Sequence, residues 1–313
     1  MRLQHVTTES LFFMKHTLYI AFLLTISCLT MPVVLKAQGS EEAEKKPAER
    51  HPVYLEKLTI ILEGEEVLKQ EGVHEWAGKA GKIVTDYYPI FDKLLETEGF
   101  IPEKEMSIVF RKMEGVAFAS GTQIVISADW IRRSPGDFGM VAHELVHIIQ
   151  RYPGGRNSQG QGLPGWAMEG MTDYIRHVHF EPEVQMRAVD SDRARYTDSY
   201  QITGGFFMYI VDTYDKDFIT KLNEMGRKRT YSEGIYEAST GKNIDVLWTE
   251  YVEKVLKPMQ EQNRRIVPAT QFPNVMKYKK EFDEHVAALK PAPVESRPQE
   301  QQRQRRQRQQ PPP

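Results

Sequence analysis

The sequence predicts an α+β fold, a small N-terminal β-sheet lobe with one helix followed by a mainly helical lobe, with a cleft between the two. Three observations carry that expectation. Stretches with the two-residue alternation of strands lie before Ser134, and stretches with apolar residues at helical spacing lie after it. A chain of 313 residues that is 40% hydrophobic and 27% charged also has the balance of a globular protein with a sizeable core.

KLTIIL, Lys57 to Leu62, is a short β-branched run. HEWAGKAGKIVTDYYPIFDKLL, from His74, has apolar residues at helical spacing, with Pro89 marking a kink or break. MSIVFR, from Met106, alternates like a strand. GVAFASGTQIVIS, from Gly115 to Ser127, reads as two alternating runs around Ser120 and Gly121, a hairpin or tight strand pair. GVAFAS is a candidate edge strand that could pair with an extended peptide through its main chain. Ser134 is a good helix N-cap, with Pro135 at the first helical position and Asp137 three after the cap, so a helix carrying Val141 to Gln150 is expected to start there. Further helices are expected near Pro164 to His179, Tyr200 to Asp212, Asp217 to Met225 and Ile244 to Leu256. Trp166, Trp248 and the methionines read as core.

The two ends differ from this body. Lys15 and His16 precede an almost wholly apolar run, Thr17 to Leu35, and a polar segment follows it, which is the layout of a secretory signal peptide cleaved after Ala37. An uncleaved membrane anchor is the alternative, since about 19 apolar residues span a bilayer. Cys28, the one cysteine, lies inside this run, so the cleaved chain has neither disulfides nor a thiol nucleophile. The expected organisation is a signal peptide over 1–37, a linker over 38–52, a folded domain over 53–290 and a disordered Pro/Gln/Arg-rich tail over 291–313. The net charge of −2 implies no general attraction to nucleic acid or acidic membranes. The cleaved protein is expected to be secreted or periplasmic, with no stable membrane insertion.

VAHELVHIIQ, Val141 to Gln150, carries the chemistry. His143 and His147 are four apart, so both project from one helix face, a spacing at which two imidazoles grip one ion. Glu144 then sits beside the ion, placed to take a proton from water without being a ligand. Val141, Leu145, Ile148 and Ile149 supply an apolar stripe on the other side. A third ligand is required, and LPGWAMEGMTDYIRHV offers Glu169 and Asp173 behind the helix-starting Pro164. With Glu169 on the ion, Asp173 lies one turn on, where it can accept a hydrogen bond from the far nitrogen of a ligating histidine. The reverse assignment, Asp173 on the ion with Glu169 behind it, is open at this level. Gly170 would let this helix approach the first closely. His177 and His179 read as surface or interlobe residues rather than extra ligands. Tyr196 and Tyr200 follow, and Tyr200 is the candidate to lend a phenolic proton to an oxyanion, with packing as the competing role.

The H-E-x-x-H motif followed about twenty residues later by E-x-x-x-D is the gluzincin arrangement. VAHELVHIIQ, GWAMEGMTDYIR, YTDSYQITGGFFMYI and TGKNIDVLWTEYV together resemble the plant and bacterial basic secretory protein family, secreted zinc peptidases with a gluzincin-like motif. The likeness runs from Lys57 to Leu256. It implies a zincin-like metallopeptidase domain with bound Zn2+ in the cleft, a peptide or protein substrate, His143, His147 and Glu169 as ligands, and Glu144 as the catalytic residue. The nearly neutral charge and the Arg/Gln-rich tail depart from the family pattern. Two other functions fit such a site: a noncatalytic extracellular binding module that keeps the fold, and a metal-dependent hydrolase acting on cell-wall material.

Overall fold

A computed structural model of the chain describes residues 50–153, 162–184, 190–262 and 268–289. The expected signal peptide, most of the expected linker and the expected tail lie outside the described residues. The fold is α+β, a small four-stranded sheet together with a mainly helical region. Strands β1 (Lys57–Leu62), β2 (Glu105–Arg111), β3 (Ala117–Ser120) and β4 (Gln123–Ser127) form one sheet in the order β1-β2-β4-β3. β1 pairs parallel with β2, β2 parallel with β4, and β3 antiparallel with β4. The expected hairpin is the β3–β4 pair, with Ser120 opposite Gln123 and Gly121 at φ +57°, a left-handed turn position that favours glycine.

A parallel β1–β2 pair needs a long crossover, and helix α2 (Val73–Leu94) supplies it after a short helix α1 (Glu65–Leu68). Val73, Trp76, Ala77, Ala80, Val84, Tyr88 and Phe91, at helical spacing, are its buried face. Of the kink or break expected at Pro89, the break does not occur: α2 runs on to Leu94. The lost backbone bond is offset by burial of Pro89 beside Tyr88 and Phe91. At the C-terminal end of α2, Arg50 forks onto Asp92 at 2.9 and 3.1 Å, tying the start of the described chain to the body.

After β4 the chain turns at once into α3 (Ala128–Arg133), an unanticipated helix capped by Ser127, whose Oγ accepts from the Trp130 amide at 3.2 Å. Ser134 therefore closes α3 instead of opening the next helix, and α4 (Gly139–Gln150) starts five residues later with no side-chain cap. Asp137, read as a capping partner, instead accepts from Trp130 Nε1 at 2.9 Å. The remaining helices are α5 (Gly165–Ile175), running on into a π-helical turn Arg176–Phe180, then α6 (Tyr200–Thr213), α7 (Phe218–Lys228) and α8 (Gly234–Thr240). They are followed by α9 (Ile244–Tyr251) with a second π-helical turn Val252–Leu256, α10 (Lys257–Glu261) and α11 (Pro273–Ala288).

Sheet and helices share one apolar core, and α4 runs through it with nearly every side chain buried. The Val141, Leu145, Ile148 and Ile149 stripe is buried as expected, but His143 and Glu144 on the opposite face are buried too. Arg227 of α7 holds the end of α4: its guanidinium donates to the Ile149 carbonyl at 2.7 Å and to Thr97 Oγ1 at 3.1 Å, and lies 3.5 Å from the Phe100 ring centre. Among the described residues no helix is long and apolar enough to cross a membrane.

Candidate metal centre

The 3.6-residue period of α4 puts His143 and His147 on one face, and their rings meet edge to face with centroids 4.9 Å apart. Their Nε2 atoms lie 3.2 Å apart. Glu169, from α5, brings Oε2 to 3.2 Å from each of them. His143 and Glu169 are buried and His147 is partly buried. Among the described residues this is the group of histidine and acidic side chains whose ligand atoms converge closely enough to hold one ion. Tetrahedral ligands at about 2.0–2.1 Å from zinc stand about 3.3 Å from one another, so the triangle fits such an ion without rearrangement.

The outward-facing nitrogens explain why the lone pairs point inward. His143 Nδ1 meets Asp173 Oδ1 at 2.7 Å, and His147 Nδ1 meets Gln150 Oε1 at 2.9 Å. With a proton held on each Nδ1, Nε2 is the nitrogen of each ring that would turn its lone pair to a bound ion. Asp173 thus stands behind His143 while Glu169 joins the cluster, and the reverse assignment is not the geometry of the protein. Gln150 was not singled out from sequence, nor was Thr172, whose hydroxyl lies 3.3 Å from Gln150 Oε1 and 2.9 Å from the Met168 carbonyl. The available signal was that an imidazole that is to face an ion needs an acceptor at its far nitrogen, and Gln150 is the polar residue one turn beyond His147.

The electrostatics follow from these contacts. Burial opposes a charge on His143, but the hydrogen bonds to Asp173 and Glu169 outweigh it and raise its pKa to about 9. Burial likewise opposes ionisation of Glu169 and Asp173, yet the histidine contacts hold Glu169 far below, and Asp173 below, the usual carboxylate range. Glu144 is buried next to this cluster, and its Oε2 has no hydrogen-bond partner among the described residues. A buried carboxylate oxygen without a partner costs about 1–3 kcal/mol or more, so its position calls for a group that the described residues do not provide. That orphan, the spacing of the triangle and its two-nitrogen, one-oxygen donor set all suit a divalent ion with an accompanying water.

Tyr200 lies over the centre, its ring stacked on His143 at 5.9 Å between centroids and half exposed. Ser199 and Tyr200 hold φ of +67° and +49°, two successive left-handed residues without glycine. Such strain costs about 1–3 kcal/mol per residue and persists only where the surroundings impose it. Tyr196 packs instead against Trp166 and Trp248, at 5.3 and 6.2 Å between ring centres. His177 and His179 are buried in the π-helical turn, so the surface half of the surface-or-interlobe expectation does not hold, and among the described residues neither joins the His143, His147 and Glu169 group. Gly170 gives its close approach to α6, where a Cβ would collide with Thr203, and not to α4. The chain is local at that position, and only the packing of α6 against α5 reveals which neighbour needs the space.

A cavity of about 210 Å³ lies beside His147, between the β3–β4 turn (Ala119, Ser120, Gly121) and Gln150 and Met168. A larger one, about 290 Å³ and lined by Trp76, Ile131 and Pro135, contains none of the cluster residues. Only the former of these two borders a residue of the cluster, His147.

Fold and site together define an α+β protein with a buried His/His/Glu centre and an adjacent orphan carboxylate. The model of the family described as "Peptidase of plants and bacteria" matches residues 86–251, just over half of the chain, and the chain belongs to that family. The resemblance drawn from the sequence is to the same family. Neither a curated protein nor a solved structure matches the chain.

Proposed function

We propose that the protein is a secreted zinc metallopeptidase, with His143, His147 and Glu169 holding the metal. The observation that carries this reading is the equilateral 3.2 Å triangle of ligand atoms beside the unpartnered Glu144 oxygen. Family membership supports the peptidase class and a peptide or protein substrate. When bound, zinc supplies a Lewis acid that polarises the scissile carbonyl and makes water nucleophilic near neutral pH. Glu144 accepts the proton of the attacking water at its unpartnered oxygen and delivers it to the leaving amine. Asp173 holds the proton of His143 on Nδ1 and so keeps that ring aimed inward. Tyr200, over His143 on the exposed side, donates its phenolic proton to the oxyanion, and Tyr200→Phe is expected to lower kcat about 100-fold with metal content unchanged. β3 is an edge of the sheet beside the cavity, so an extended substrate can add to it through main-chain hydrogen bonds.

The test is metal content together with chelator-reversible proteolysis on the chain from Gln38 onward. One equivalent of zinc, and cleavage of casein or a peptide library that is lost on chelation and restored by zinc, is the expected result. A folded chain that binds no divalent metal would sink the proposal. Secretion rests on the apolar run Thr17 to Leu35, and N-terminal sequencing of exported protein should begin at Gln38.

A further inference from the structure

We infer that Gln150 is a positioning residue of the proposed centre: its amide oxygen keeps the His147 proton on Nδ1 and thereby turns the Nε2 lone pair toward His143 and Glu169. This rests on the metal reading above and adds a residue to which nothing else assigns a role. Gln150 is the last residue of α4 and is only 1% exposed. Its Oε1 lies 2.9 Å from His147 Nδ1. The amide is held in that sense because Nε2 donates to the Met168 carbonyl at 3.4 Å, and Thr172, fully buried, brings its hydroxyl to 3.3 Å from Oε1. Thr172 Oγ1 is itself 3.5 Å from His147 Nδ1, too long to replace Gln150 as the acceptor.

The two histidines therefore have unlike supports. Behind His143 stands a carboxylate; behind His147 stands a neutral amide. Glu144, Glu169 and Asp173 already place three buried carboxylates around the centre. A fourth would add buried negative charge, whereas an amide supplies the required acceptor without it. Gln150 also connects the segments that must converge, since it bonds a ligand on α4 and the Met168 backbone of α5, one residue before Glu169.

Zinc affinity, read by competition with a chromophoric chelator at neutral pH, separates the possible roles. Gln150→Met keeps the length of the side chain and removes both polar ends, and it is expected to weaken binding about 10- to 100-fold. Gln150→Glu restores the acceptor but loses the donor to Met168, and it is expected to bind zinc at least as tightly as the natural chain. Wild-type affinity in Gln150→Met would overturn the role. So would a Gln150→Glu affinity as weak as that of Gln150→Met, because the amide donor and not the oxygen would then be what matters. Imidazole nitrogen NMR of the zinc-loaded natural chain provides a check that needs no variant: His147 should carry its proton on Nδ1, and a proton on Nε2 refutes the inference. A natural chain that takes up no zinc fails at the earlier step and removes the centre itself.

Discussion

Two pairs of largely buried histidines occupy neighbouring helical segments and differ in their partners. His143 and His147 on α4 find partners for their ring nitrogens, at 2.7 to 3.2 Å. His177 and His179, in the π-helical turn after α5, are as deeply buried, yet their nearest carboxylates are Glu181 at 3.7 Å and Asp283 at 3.8 Å. Neither nitrogen of His177 has a hydrogen-bond partner among the described residues. Burial drives the His177 pKa down to about 4 and also lowers that of His179, while the carboxylates overcome the same burial at His143 and carry it to about 9. Burial alone makes histidine neutral and inert; a carboxylate within hydrogen-bond reach is what gives it charge or a directed lone pair.

The largest contrast should come from removing one histidine of each pair. His143→Ala is expected to abolish zinc binding, whereas His177→Leu keeps one equivalent and the fold, because it replaces unsatisfied nitrogens with apolar volume. Elemental analysis of the purified variants decides this, and a full equivalent retained by His143→Ala breaks the comparison. Next in size, Glu144→Gln should retain zinc while peptide cleavage falls by several orders of magnitude, and undiminished turnover would remove Glu144 from catalysis.

The pKa shifts make His143 and His177 pull in opposite directions in the metal-free protein. The folded His143 binds its proton more tightly than the unfolded chain, so its stabilisation is full below pH 6.5 and is lost as pH rises toward about 9. His177 binds its proton less tightly, so its stabilisation is full above pH 6.5 and is lost as pH falls toward about 4. Urea unfolding of chelator-treated protein should show both slopes, each on the order of a few kcal/mol across its window. In His177→Leu the acid-side slope should flatten. An unchanged slope there would assign the acid limb to other groups.

Smaller effects test the packing that holds the cluster. Gly170→Ala drives a methyl into the fully buried Thr203 and is expected to destabilise the protein by about 1–3 kcal/mol. Gly78→Ala, on α2 with no atom within 4 Å of the added carbon, is expected to stabilise it by about 0.5–1 kcal/mol. Denaturant midpoints read both, and a harmless Gly170→Ala would mean that α5 and α6 can move apart.

Much of this fold was legible. The β-branched run became β1 and the alternating runs became β2 and the β3–β4 hairpin, because β-branched and alternating apolar residues fit a pleated surface. Four helices stood within a few residues of their expected places because their apolar stripes are wide. The misplaced start of α4 has a plain cause: Ser134 has the right chemistry for an N-cap, but Ser127 starts a helix earlier and Ser134 falls at its end. Helix α11 escaped notice because only Val275 and Val286 are fully buried along it, too sparse a pattern to read. Pro89 misled because a break depends on whether surrounding burial offsets one lost hydrogen bond, and the sequence does not display the surroundings.

The helical period alone was enough to set His143 and His147 on one face with Glu144 between them, and the Glu169/Asp173 spacing put the two carboxylates one turn apart. Covalent geometry enforces such relations wherever the helix ends up. Which carboxylate joins both imidazoles and which buried histidine nitrogens are left without hydrogen bonds were decided by packing. Those choices join segments more than twenty residues apart, and only the mutual fit of α4, α5 and α6 brings their atoms to within 3.2 Å.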